Sequence, residues 1–79
     1  VRENPVRNEL RLEVQSPTTG KAHITISGVE GKVIFTNQVE ISNGGNIILL
    51  NEISRFSKGI YFVKTVMNGE TAINKVVKL

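Results

Sequence analysis

The chain has 79 residues, which is enough for one domain with a single small core and too few for a second domain. It contains no cysteine, no Asp and one His, which excludes disulfides, a zinc site of thiolates or paired imidazoles, and Ser-His-Asp catalysis. The net charge of +3 comes from residues 58–79, which hold four lysines and a single Glu. This composition argues against an enzyme and predicts neither a cofactor nor a metal ion.

Period-two strand patterns begin after a polar lead-in at residues 2–8, where Pro5 favours extended backbone and leaves room for a short edge strand. The first pattern covers residues 9–14 and the second covers residues 21–27, with a turn at Ser16-Pro17-Thr18-Thr19-Gly20 between them. The residues predicted to face the core in these two strands are Leu10, Leu12, Val14, Ala22, Ile24 and Ile26.

Two further strands are predicted in the middle of the chain, over residues 32–39 and 46–50, separated by the turn-forming Ser42-Asn43-Gly44-Gly45. Residues 51–57 have no period-two pattern. We expect this segment to cross from one sheet to the other, with Ile53 and Phe56 closing the end of the core. No segment has a convincing 3.6-residue apolar period, so no helix longer than one turn is expected.

The last third of the chain is the most apolar. From Ile60 to Met67 every residue except Lys64 is β-branched, aromatic or Met, which predicts a central, largely buried strand. Asn68-Gly69 suits a type I′ turn, so the chain should fold back as an antiparallel hairpin that includes Lys75-Val76-Val77-Lys78. All four aromatic side chains are expected in the core. Six strands are evident, a seventh is expected, and the fold class is an all-β sandwich.

Individual polar residues give no sign of a catalytic or nucleotide site. His23 is predicted to face solvent from a strand, and Glu9 with Glu13 lacks the cleft that a carboxylate pair needs. Asn43-Gly44-Gly45 precedes a strand, whereas a phosphate-binding loop opens a helix. Neither nucleic-acid binding nor a membrane span is predicted. The lysines of the last hairpin either protect an exposed sheet edge from aggregation or meet an anionic partner.

Several short motifs resemble, in order and spacing, a known family over essentially the whole chain. They are Asn4-Pro5-Val6-x-Asn8-x-Leu10, Gly31-Lys32-Val33, Ile48-x-Leu50, Lys58-Gly59-Ile60-Tyr61-Phe62-Val63-Lys64, Asn68-Gly69 and Lys75-Val76-Val77-Lys78. The family is the type A C-terminal sorting domain of the type IX (Por) secretion system of Bacteroidetes. One departure is Glu3, where the family usually has Pro.

The resemblance implies an Ig-like β-sandwich of about seven antiparallel strands, with residues 1–79 forming the single sorting domain at the end of a larger exported protein. Such a domain folds in the periplasm and is then recognised by the type IX outer-membrane translocon. A surface sortase commonly removes it and joins the cargo to anionic lipopolysaccharide, so the cargo ends on the outer-membrane surface or outside the cell. The recognition residues that carry over are Gly59, Tyr61, Lys75, Val76, Val77 and Lys78.

The same residues also have interpretations that do not depend on the resemblance. Gly59 would allow a sharp start to its strand, and Tyr61 would anchor the sandwich through its ring and a hydrogen bond at the rim. Packing alone would account for Tyr61 and Val76. A terminal edge strand with unpaired main-chain groups could be bound by strand addition, with Lys75 and Lys78 in acidic pockets, or could form a dimer. The alternative function is an Ig-like adhesion or spacer module that binds protein or glycan.

Overall fold

The computed structural model of the protein describes residues 6–79. Six β-strands and one short 3-10 helix make up the ordered elements of this range, in agreement with the expected all-β class. In chain order they are β1 (Leu10–Ser16), β2 (Gly20–Gly28), β3 (Val33–Ile41), β4 (Gly44–Leu50), the 3-10 helix (Asn51–Arg55), β5 (Gly59–Met67) and β6 (Glu70–Lys78).

The strands form two antiparallel sheets, one of β1 and β4 and the other in the order β3-β2-β5-β6. The chain changes sheet between β1 and β2, between β3 and β4, and between β4 and β5, whereas β2-β3 and β5-β6 are hairpins within one sheet. Two packed antiparallel sheets with such crossing connections are the arrangement of an Ig-like sandwich, so this prediction is confirmed.

Six strands rather than seven are present within residues 6–79. In place of a seventh strand, Val6 forms a single parallel bridge with Lys78. The predicted lead-in therefore does pair with the edge of a sheet, and within residues 6–79 this pairing consists of Val6 alone. Pro5 and Glu3, on which the sequence analysis commented, lie outside the described residues.

The core lies between the two sheets and follows the predicted alternation. Leu10 and Leu12 of β1, and all three inward residues of β2, are buried, whereas Val14 is half-buried and packs against them. His23 is exposed on the opposite face of β2, as predicted. Removing these aliphatic side chains from water is the main favourable term in the folding free energy of a chain this small.

The predicted crossing segment is confirmed and contains the 3-10 helix. It leaves β4 in one sheet and enters β5 in the other. Ile53 is fully buried within it, and the half-buried Phe56 ring lies 5.2 Å from the Tyr61 ring, centroid to centroid. These side chains close one end of the sandwich.

The hairpin of β5 and β6 has the predicted two-residue turn. Asn68 has φ of 53° and Gly69 has φ of 76°, which are the positive values that a type I′ turn needs at both central positions. This turn pairs Met67 with Glu70 and thereby sets the register of the whole hairpin, from that pair to Gly59 with Lys78.

The prediction that β5 is largely buried and that all aromatic residues lie in the core was wrong in part. Tyr61 and Val63 face the core, but Ile60 and Phe62 point away from it and are 41% and 36% exposed. Strand geometry causes this, because alternate side chains of a strand point to opposite faces. No described residue forms a second layer over that outer face.

Candidate functional site

Tyr61 connects the beginning of β5 to the loop before it. Its hydroxyl donates a 2.7 Å hydrogen bond to the main-chain oxygen of Ser57, and its side chain is 8% exposed. The ring packs against Phe56 and the core. A tyrosine at the start of a strand that bonds to the backbone a few residues upstream is the tyrosine corner of Ig-like sandwiches. The predicted anchoring role of Tyr61 is confirmed.

Gly59 starts β5 with an unusual backbone conformation. Its φ is +153°, a value that residues with a Cβ rarely adopt. A Cβ built at this position would have no atom within 4 Å, so the space around Gly59 does not require glycine. The positive φ is the reason that glycine is required here, and it agrees with the predicted sharp start of the strand.

The four residues carried over to β6 divide between its two faces. Val76 is fully buried and pairs with Tyr61 across the hairpin, and Lys78 is 9% exposed and pairs with Gly59. Lys75 is exposed on the other face, where Val77 is half-buried. The structure therefore brings Gly59, Tyr61, Val76 and Lys78 together on the inner side, and it separates Lys75 and Val77 from them.

Lys78 is buried without a carboxylate partner among the described residues. Its Nζ donates a 2.9 Å hydrogen bond to the main-chain oxygen of Leu79. The long aliphatic stem can lie along the core while the ammonium group stays at the rim, as is usual for partly buried lysines. To bind in the predicted acidic pocket of a receptor, the Lys78 side chain would have to be exposed. In this chain it is nearly buried.

The edge of β6 is paired near its C-terminal end. Val6 donates its N–H to the oxygen of Val77 at 2.8 Å and accepts the N–H of Leu79 at 2.9 Å. Since alternate residues of a strand direct their main-chain groups to the same edge, Thr71 and Ile73 also point to this side. No described residue pairs with their main chains there. Among residues 6–79, the expected unpaired edge is therefore found only toward the hairpin turn.

A groove of about 350 Å³ opens beside that unpaired part, between β1 and the hairpin. Its walls are mixed in polarity and include Val14, Met67, Thr71 and Asn74. Asn68 at the turn donates a 3.3 Å hydrogen bond to the Ser16 hydroxyl, which fixes the end of the hairpin against β1.

Neither a metal centre nor a membrane helix is found in the part of the chain that the structure describes. No three residues of the types His, Cys, Asp and Glu within 6–79 lie close enough together to hold an ion. No helix in that range has the length and apolar character needed to cross a bilayer.

Asn46 has a structural role that the sequence analysis missed. Its side-chain oxygen accepts the N–H of Ser42 at 2.9 Å, and its amide nitrogen donates to the main-chain oxygens of Ser42 at 2.8 Å and Gly44 at 3.2 Å. These bonds fix the crossing from β3 to β4. This role could have been predicted from the position of Asn46 directly after the Ser-Asn-Gly-Gly turn, since Asn side chains often bond to nearby backbone in turns.

Comparison with known proteins identifies the family. Residues 4–79 match the model of the secretion system C-terminal sorting domain. No curated protein and no solved structure matches the chain. The match includes all six strands, the tyrosine corner at Tyr61 and both strands of the last hairpin. The chain therefore belongs to the C-terminal sorting domains of the type IX secretion system.

Proposed function

We propose that this chain directs an N-terminally attached cargo to the type IX outer-membrane translocon after the cargo has crossed the inner membrane and the domain has folded in the periplasm. The observation that carries this proposal is the family match over residues 4–79, which includes every strand of the sandwich. A sorting-signal domain is not itself catalytic, and its role in export requires specific binding. The destination is the cell surface or the extracellular space.

We further propose that a surface sortase removes the domain and joins the cargo to anionic lipopolysaccharide. The sortase would need an extended segment of chain before the sandwich, since a proteolytic active site binds substrate as an extended strand. The segment before Val6 has Pro5, which favours extended backbone. Cleavage there would leave the sandwich whole.

The six recognition residues would contribute in two ways. Lys75 is exposed and Val77 is half-buried on the outer side of β6, so these two can touch a receptor directly. Gly59, Tyr61, Val76 and Lys78 would act through the shape of the hairpin, with the Lys78 ammonium group at its rim. Their burial supports this division, because a receptor can contact only atoms that are accessible in the folded domain.

The test is the export of a reporter that has an N-terminal signal peptide and residues 1–79 at its C-terminus. We expect reporter in the medium or on the surface of a bacterium with a working type IX system, and in the periplasm of a translocon-null strain. Mass spectrometry of the exported reporter should show the new C-terminus and the lipopolysaccharide linkage.

Two other outcomes have distinct meanings. Export without loss of the sandwich, residues 6–79, would contradict the sortase step alone. Reporter retained in the periplasm of both strains, with the domain folded, would contradict the sorting function. An Ig-like adhesion or spacer module would then be the better explanation, and glycan and protein ligands would be the next probes.

A further inference from the structure

The outer face of the last hairpin is apolar although no residue within 6–79 forms a layer over it. We define the outer β5-β6 face by the alternate residues that point away from the core. They are Ile60, Phe62, Lys64 and Val66 on β5 and Thr71, Ile73, Lys75 and Val77 on β6. Five of these eight residues are aliphatic or aromatic, whereas the outer face of a solvated antiparallel sheet is normally polar.

The exposed fractions show how much apolar surface this face presents. Ile73 is 64% exposed, and Phe62 lies diagonally beside it on the neighbouring strand, because Lys64 pairs with Ile73 and Phe62 with Lys75. Ile60 follows Phe62 along the same face of β5 and pairs with Val77. An uninterrupted apolar run such as Ile60 to Val63 is typical of a strand covered on both sides. One side is covered by the sandwich core. A contiguous exposed apolar surface on the other side is a mark of an interaction site.

The charges on this face have one sign. Lys64 pairs with Ile73, and Lys75 pairs with Phe62, so each lysine stands directly beside an apolar side chain. None of the eight residues is acidic. Two copies of this chain that met through this face would bring lysines together at a low local dielectric, which is unfavourable. The charge therefore favours a partner that carries carboxylates over a second copy.

A second apolar pair on the other sheet provides a comparison. Ile47 and Leu49 on β4 are 58% and 53% exposed. Their cross-strand neighbours on β1 are Glu13 and Arg11, whose side chains form an ion pair at 3.8 Å. The outer face of β1 and β4 thus has similar apolar exposure without a net charge, and it offers no electrostatic preference for an acidic partner.

We propose that the outer β5-β6 face binds an acidic protein surface that has an apolar centre. Phe62 and Ile73 would fill that centre, and Lys64 and Lys75 would pair with carboxylates around it. A lipid surface fits less well, since membrane-binding faces separate their apolar side chains from the basic ones, whereas here the lysines stand between apolar residues. The proposal rests on the proposed sorting function, because the acidic partner would belong to the export machinery.

The experiment compares three double variants of the reporter fusion with the unchanged fusion. The face variant is Phe62→Ser with Ile73→Ser, the charge variant is Lys64→Glu with Lys75→Glu, and the control is Ile47→Ser with Leu49→Ser. Circular dichroism and urea unfolding establish that each variant is folded. Binding is measured to purified type IX outer-membrane translocon at low and high salt, and to vesicles containing phosphatidylglycerol.

We expect the face and charge variants to bind the translocon at least ten times more weakly than the unchanged fusion. The control should stay within a factor of two, and the unchanged fusion should bind more weakly as salt is raised. Equal binding by all folded variants would overturn the proposal, as would tighter binding to the vesicles than to the translocon.

Export of the same fusions separates this proposal from the sorting function. If the unchanged fusion is exported and both the face and charge variants are exported equally well, the docking face is wrong and the sorting function stands. If the unchanged fusion itself is not exported, the sorting function fails.

Discussion

Tyr61 and Val76 lie directly opposite each other on β5 and β6, and both side chains point into the core. Two of the residues that the family resemblance assigns to recognition therefore form a packing contact of the sandwich. The neighbouring pair, Phe62 and Lys75, points outward. The hairpin thus has an inner side that holds the fold together and an outer side that can meet a partner, and substitutions on the two sides should have different effects.

Replacing Tyr61 by Phe should lower the free energy of unfolding by about 1–2 kcal/mol. The change removes the hydroxyl that bonds to the Ser57 oxygen and keeps the ring against Phe56. Tyr61→Ala should cost about 3–5 kcal/mol, because it also leaves a cavity in the core. Urea unfolding of both variants tests this. A Phe variant as stable as the parent would show that the tyrosine corner contributes nothing.

Val76→Ala should reduce stability by about 2 kcal/mol, because two fully buried methyl groups are removed. The next residue is a matched control. Val77 is half-buried on the outer side, and Val77→Ala keeps the main-chain bond from Val6, so its cost should be below about 1 kcal/mol. Equal losses in urea unfolding would contradict the assignment of the two faces.

The alternation of apolar residues was sufficient to predict the strands and most of the core. The alternation correctly placed Ala22 and Ile26 in the core, because a strand has only two faces and one of them is buried. It failed for Phe62, since an apolar residue in a strand can face either a core or a binding partner, and composition does not distinguish them. Local turn chemistry predicted Asn68-Gly69 correctly.

The candidate site was harder to predict than the fold. Resemblance gave Lys75 and Lys78 the same role, but their accessibilities differ because they are three residues apart in a strand and so face opposite sides. The pairing of Val6 with β6 depends on a contact between the two ends of the described chain. No local pattern contains that information.

Gly59→Ala should destabilise the domain by about 1–3 kcal/mol through backbone strain alone, since φ of +153° is unfavourable for alanine and the added methyl group has free space. Gly20→Ala is the control. A Cβ at Gly20 would lie 3.6 Å from the Asn68 side chain, an ordinary contact, and Gly20 is not among the glycines with positive φ. The expected change for Gly20→Ala is within about 0.5 kcal/mol. Comparable unfolding midpoints for the two variants would contradict the argument from φ.

Asn46→Ala should cost about 1–3 kcal/mol, because it leaves the main-chain groups of Ser42 and Gly44 without their side-chain partner. Hydrogen exchange of the Ser42 amide measures the loss directly and should become faster in the variant. Asn37→Ala is a suitable control, since within residues 6–79 the Asn37 side chain bonds only to the exposed amide of Gln38. Unchanged exchange at Ser42 would show that Asn46 does not fix the crossing.

Lys75→Glu and Lys78→Glu should separate binding from folding. Lys75 is exposed, so reversing its charge should lower the free energy of unfolding by no more than about 1 kcal/mol, the usual limit for a charged contact at the surface, while lowering reporter export. Lys78 is 9% exposed, and a carboxylate there would face the Leu79 oxygen that now accepts the Nζ hydrogen bond. An unpaired charge at a nearly buried site is costly, so Lys78→Glu should destabilise the domain by about 1–3 kcal/mol.

Urea unfolding and export are measured on the same two fusions. We expect Lys75→Glu to unfold closer to the parent midpoint than Lys78→Glu does, with reduced export, and Lys78→Glu to lose both stability and export. Lys78→Met keeps the aliphatic stem without a charge, so it should recover most of the stability. If Lys78→Met is stable but still not exported, the ammonium group itself is recognised, and Lys78 belongs with Lys75 among the direct contacts. If Lys75→Glu is exported normally, the outer side of β6 is not the recognised surface.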